Sequence, residues 1–94
     1  MAASSARTIT FGVHGPILRT DLPGLCARVC RLLEGAGPEV AFCDVAGVPA
    51  NAVTADALAR LQTAAHRHGC RVRLRHASAD LLELLAFIGL EDVF

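Results

Sequence analysis

Between residues 8 and 13 apolar and polar positions alternate, with Ile9, Phe11 and Val13 set against Thr8, Thr10 and Gly12. A period of two is that of a strand with one buried face. A second apolar stretch, Val40, Ala41, Phe42, Cys43 and Val45, is almost unbroken. It predicts a strand covered on both faces, the central one of a sheet. Asp44 interrupts the run near its end, where a carboxylate reaches a loop or solvent and escapes unpaired burial. Residues 71–75 alternate again, with Val72 and Leu74 on one side and Arg71, Arg73 and Arg75 on the other.

Between the strands the period lengthens. Leu22, Leu25, Cys26, Val29, Leu32 and Leu33 recur at helical spacing and leave Arg28, Arg31 and Glu34 for solvent. Asp21 is placed to cap this helix, Pro23 is tolerated in a first turn whose N–H groups lack partners, and Gly35, Gly37 and Pro38 end it. Gly47, Val48, Pro49 and Ala50 break the central strand, after which Leu58, Leu61 and Ala65 mark a second helix that stops at Gly69. Ser78 caps a third, with Asp80 in its first turn, Leu81, Leu82, Leu84, Leu85 and Ile88 facing inward, and Gly89 as the stop. His14, Gly15 and Pro16 bend the chain after the first strand, and Ile17 with Leu18 predicts a very short strand or bridge. Leu90, Val93 and Phe94 form an apolar tail expected to fold back on the sheet or helices. Strands separated by helices require parallel neighbours joined by right-handed crossovers. The expected fold is α/β, a sandwich built on a small mixed, mostly parallel sheet with crossover helices.

Composition narrows the function. A chain of 94 residues, 53% of them hydrophobic, fits one domain with its own core and leaves no room for a second. Residues 1–6, small and polar, read as a disordered leader, and residues 7–94 as the domain. The nine cations balance nine anions, so the broad positive field of a nucleic-acid-binding protein is absent and no nucleic acid is expected. All the cations are arginine, a compositional bias that weakens any argument from a single Arg. No apolar run suits a signal peptide or a membrane span, so a cytoplasmic protein without membrane insertion is expected. Cys26, Cys30, Cys43 and Cys70 form no CxxC pair and read as buried reduced thiols. His66, His68 and Cys70 offer metal-capable atoms, yet the two histidines leave the helix on different sides, and neither a metal nor another cofactor is expected. No glycine-rich phosphate loop, carboxylate cluster or nucleophile with its base is present, which argues against an enzyme. With zero net charge, Arg71, Arg73 and Arg75 fit a solvated strand face better than an anion site.

Several of these residues, taken in order, resemble a known family. Val13, His14, Gly15, Pro16 and Ile17 look like the first strand and bend of STAS domains, found in sulfate transporters and bacterial anti-sigma factor antagonists. Asp44, Val45, Ala46, Gly47 and Val48 resemble the family's Asp-Leu-Ser-Gly-Val strand end, and Gly69 matches the glycine before its next strand. Ile88, Gly89, Leu90, Glu91, Asp92, Val93 and Phe94 resemble its closing Gly-Leu-x-x-Val-Phe. The resemblance covers about residues 8–94 and implies a STAS-like sandwich. It also implies a function: non-enzymatic signalling in the regulation of transcription, by binding an ATP-binding, kinase-type anti-sigma factor and releasing its sigma factor.

Antagonists of this family carry Asp-Ser-Ser-Gly at the turn into the second helix, where the partner kinase phosphorylates a serine. Here that turn reads Asn51, Ala52, Val53 and Thr54, so both serines are absent and Thr54, followed by Ala55, is the candidate phosphoacceptor. From the residues alone Thr54 equally fits a helix cap, and Asp56 would repel a phosphate beside it. The implied partner surface is Pro49, Ala50, Asn51, Ala52, Val53, Thr54 and Asp56, whose small side chains let a partner's backbone come close. The missing serines leave an alternative, a phosphorylation-independent STAS adaptor subunit docking on an ABC transporter ATPase or a larger signalling assembly. A monomer or weak homodimer is expected in either case.

Overall fold

The computed structural model describes residues 7–90. Strands and helices alternate as β1 (Thr8–Gly12), α1 (Leu22–Ala36), β2 (Val40–Asp44), α2 (Ala52–Arg67), β3 (Arg71–Arg75) and α3 (Ala79–Phe87). A short 3-10 turn, Arg19–Asp21, precedes α1. The sheet has the order β1-β2-β3 with both pairs parallel. The apolar run is therefore the central strand. Among the described residues the sheet is wholly parallel and not mixed, because each helix carries the chain back to the edge from which the previous strand started.

The expected strand or bridge at Ile17 and Leu18 does not form. Asp21 Oδ2 accepts the Leu18 N–H at 3.1 Å, and the Asp21 N–H donates to the Leu18 carbonyl at 2.9 Å. These bonds close a turn and use the groups that a ladder would need. They also turn the Asp21 carboxylate away from α1, so Asp21 stands at the start of that helix without capping it by its side chain. Ser78 behaves as expected, its Oγ accepting the Leu81 N–H at 3.1 Å. Residues 1–6, read as a leader, lie outside the described residues, as do Glu91, Asp92, Val93 and Phe94 of the closing motif and tail.

Strand alternation sorts the sheet into two unlike faces. Ile9 and Phe11, Ala41 and Cys43, Val72 and Leu74 share one face in register. They join a single core with Leu25, Val29 and Leu33 of α1, Leu58, Leu61 and Ala65 of α2, and Leu81 and Leu85 of α3. Right-handed crossovers between consecutive neighbours put α1 and α2 on the same side, where they pack against each other. Leu33, Leu58, Leu61, Leu81 and Leu85 are fully buried, each stabilising the fold by about 1.5–3 kcal/mol over an exposed leucine. Leu32, Leu82 and Ile88, expected inside, are about half exposed.

The other face has no cover among the described residues. Thr8, Thr10, Arg71, Arg73 and Arg75 are exposed, and Val40, Phe42 and Asp44 are half-buried. β2 is thus covered on one face, not on both as its composition predicts, because the helices gather on one side of the sheet.

Gln62 of α2 completes β3. Its Oε1 accepts the Val72 N–H at 3.0 Å and its Nε2 donates to the Val72 carbonyl at 3.3 Å. The Arg71 N–H points to β2, donating to the Glu39 carbonyl at 2.9 Å, so the groups of Val72, one residue on, face the outer edge. There the buried amide takes the place of a neighbouring strand.

Candidate functional site

The residues singled out by sequence sit where β2 gives way to α2. The Val48 N–H donates to the Val45 carbonyl at 3.1 Å, closing a turn around Gly47, whose φ of +76° is left-handed and suits a residue without a side chain. Asp44, at the strand end, accepts the Ala46 N–H at 3.0 Å and pairs through the same Oδ1 with His76 Nδ1 at 3.2 Å. The Ala46 N–H first, and His76 after it, hold the Asp44 carboxyl below the usual carboxylate range.

The turn rests on a second loop. A side chain at Gly15 would meet Pro49 Cδ at 2.6 Å and Val48 Cα at 3.1 Å, so the bend after β1 lies directly against the turn. The Gly15–Pro16 peptide in that bend is cis.

Asn51, in extended conformation, begins α2. Its Oδ1 accepts the Thr54 N–H at 2.9 Å and its carbonyl accepts the Ala55 N–H at 3.0 Å. The cap is therefore Asn51 and not Thr54, which stands three residues into the helix with no exposed surface. The Thr54 Oγ1 is buried without a hydrogen-bond partner. As the candidate phosphoacceptor it is out of reach of a kinase unless the start of α2 opens.

The other predicted partner residues divide by exposure. Ala50, Asn51 and Ala52 are exposed, and Pro49, Val53 and Asp56 are half-buried. Asp56 accepts from Arg60 Nε at 3.1 Å and lies 3.5 Å from Arg19 Nη1, so it ties α2 to the 3-10 turn. The tie is solvent-exposed and worth little energy, about 0–1 kcal/mol, but it fixes one rim of the surface. Ala50, Asn51 and Ala52 form an uncharged shoulder at the N-terminus of a 16-residue helix, where N–H groups of the first turn have no intrahelical acceptor.

Some neighbours were not foreseen. His14 from the bend and Arg28 and Arg31 from α1 line one cleft of about 500 Å³ with Thr20 and Asp21. Arg28 and Arg31 are exposed, as the helical spacing predicts, but no local pattern ties them to His14. Gln62 did carry a signal, a polar residue four positions after Leu58 on an apolar stripe. Among the described residues no group of His, Cys, Asp and Glu is arranged to hold a metal, and no helix is long and apolar enough to cross a membrane. All four thiols are free, and burial, with Asp44 next to it, pushes the Cys43 thiol up to about 12.

The class defined by these observations is a small α/β protein with a three-stranded parallel sheet and three α-helices. Compared with protein-family models, curated proteins and solved structures, the chain finds no match.

Proposed function

We propose that the protein is a non-enzymatic STAS-type regulatory module of the bacterial cytoplasm, which binds a kinase-type anti-sigma factor through residues 49–56. The observation that carries the reading is the exposed shoulder of Ala50, Asn51 and Ala52, held in shape by the Asn51 cap and by Gly15 behind the turn. Small side chains beside the Ala52 and Val53 N–H groups, which have no acceptor within the helix, let a partner's main chain approach and accept hydrogen bonds.

A second reading is favoured by the complete burial of Thr54. Without an accessible hydroxyl at this turn, binding would not be switched by phosphate, as in an adaptor that docks on a transporter ATPase or a larger assembly.

One experiment separates the two. The tagged protein and its Asn51→Arg variant are recovered from the native host, the bound proteins are identified by mass spectrometry, and residues 51–56 are examined for phosphate after incubation with ATP. A kinase-type ATPase bound by the wild type and lost by the variant supports the antagonist reading. A transporter ATPase with an unmodified peptide supports the adaptor. Equal recovery of every protein by both forms removes this surface from either role.

A further inference from the structure

The uncovered face of the sheet and the outer face of α3 are complementary. In register, the open face consists of the rows Thr8–Val40–Arg71, Thr10–Phe42–Arg73 and Gly12–Asp44–Arg75. Phe42 lies at its centre, with the Arg75 guanidinium 4.1 Å above its ring. The three arginines follow one another at about 6.6 Å along β3. The ion pairs among the described residues are Arg19–Asp56, Arg60–Asp56 and His76–Asp44, and none uses these arginines. The face is thus a short apolar strip, Val40 and Phe42, ending at Asp44, beside a row of arginines outside those ion pairs, on a sheet type that is normally covered on both sides.

α3 has the opposite character. Leu81 and Leu85 point into the core, while Leu82 is 53% and Phe87 88% exposed, and Ile88 just beyond is 46% exposed. Asp80 and Glu83 are exposed among them, and the helix carries no basic residue. Asp80, Glu83 and Phe87, spaced i, i+3 and i+7, share one outer face, which sets an exposed aromatic ring beside two carboxylates. Three arginines on the sheet face and two carboxylates on α3, on a chain of zero net charge, favour self-association over binding to a polyanion.

We propose that α3 of one copy covers the open sheet face of a second copy. Phe87 packs on Val40 and Phe42, and Asp80 and Glu83, which share its face of the helix, meet Arg71 and Arg73. The contact supplies a second helical layer, which the sheet lacks among the described residues. It joins unlike surfaces, one on the helical side and one on the bare side of the sheet, so it is heterologous and adds copies head to tail. This interface is separate from the shoulder at residues 49–56 and does not depend on the function proposed there.

Sedimentation velocity on the full chain, over a range of concentrations and at low and high salt, tests the proposal. The average mass is expected to rise with concentration and fall with salt. Phe87→Ser and Arg73→Glu are each expected to weaken association about tenfold. Both positions are exposed, and circular dichroism checks that each variant remains folded. A chain carrying both Arg73→Glu and Glu83→Arg is expected to regain association through the reversed pair, although each single variant associates weakly. A wild type that stays monomeric throughout overturns the proposal, as does association indifferent to both substitutions. A monomer that binds a mixed-sequence single-stranded oligonucleotide through Arg73 would overturn it too, assigning the face to nucleic acid.

Discussion

Thr54 buries a hydroxyl that makes no hydrogen bond, at the first turn of the helix where the proposed partner surface begins. An unsatisfied buried hydroxyl is a cost, so Thr54→Val, which keeps the shape, is expected to stabilise the fold by about 1 kcal/mol in thermal melts. The same variant should retain its partner if the switchless reading holds, and lose its regulation if phosphate on Thr54 matters. Asn51→Ala removes the cap, and chemical denaturation should register a loss of about 1 kcal/mol. Asp44 gives a pH signature. Its pKa is lower folded than unfolded, so the ionised carboxylate stabilises the fold above its ordinary value of 3.8. That contribution disappears as the pH falls through the lower folded-state value. Asp44→Asn should accordingly flatten the acid limb of the stability profile below about pH 4 and leave the neutral region with the smaller slope it already has.

At the scale of elements, β3 depends on α2 for its outer edge. Gln62→Leu keeps the volume but orphans the Val72 N–H and carbonyl. A loss of about 2–6 kcal/mol is expected in urea unfolding, since each orphaned group costs about 1–3 kcal/mol. The turn into α2 depends in the same way on the bend after β1. Gly15→Ala would press a methyl group against Pro49 and the Val48 main chain. It should cost about 1–3 kcal/mol and shift the amide resonances of residues 47–52, tying the shape of the proposed partner surface to a residue distant in sequence. Periodicity located the strands and helices well, because the apolar spacing that forms an element is written along it. It misplaced the cap, because Asn51 and Thr54 are both good capping residues and only the backbone at Asn51 is extended. It misread Ile17 and Leu18 because hydrogen bonds to Asp21 compete for the same groups.

The described residues form one layer of helices on one face of a three-stranded sheet, with three arginines on the other face. Cooperative unfolding should control access to its interior thiols. Cys43 and Cys70 are buried, whereas Cys26 and Cys30 are partly exposed, and burial raises the thiols of Cys43, Cys70 and Cys26 above their ordinary range. Under native conditions a thiol reagent is expected to modify Cys26 and Cys30 first. Cys43 and Cys70 should follow only as the chain opens, in an order that mass spectrometry of the labelled peptides can read.

The sequence by itself determined the elements, their order and the parallel direction of the strands, because hydrophobic period, caps and the lengths of connections are local properties. It also marked the turn at residues 49–56. Only the tertiary structure decided which faces of those elements are used. Consecutive right-handed crossovers gather the helices on one side, so the near-continuous apolar run of β2 still leaves Val40 and Phe42 half-buried beside three arginines. The depth of Thr54, the amide that finishes β3 and the contact of Gly15 with Pro49 arise in the same way, from residues distant along the chain that packing brings within a few ångströms.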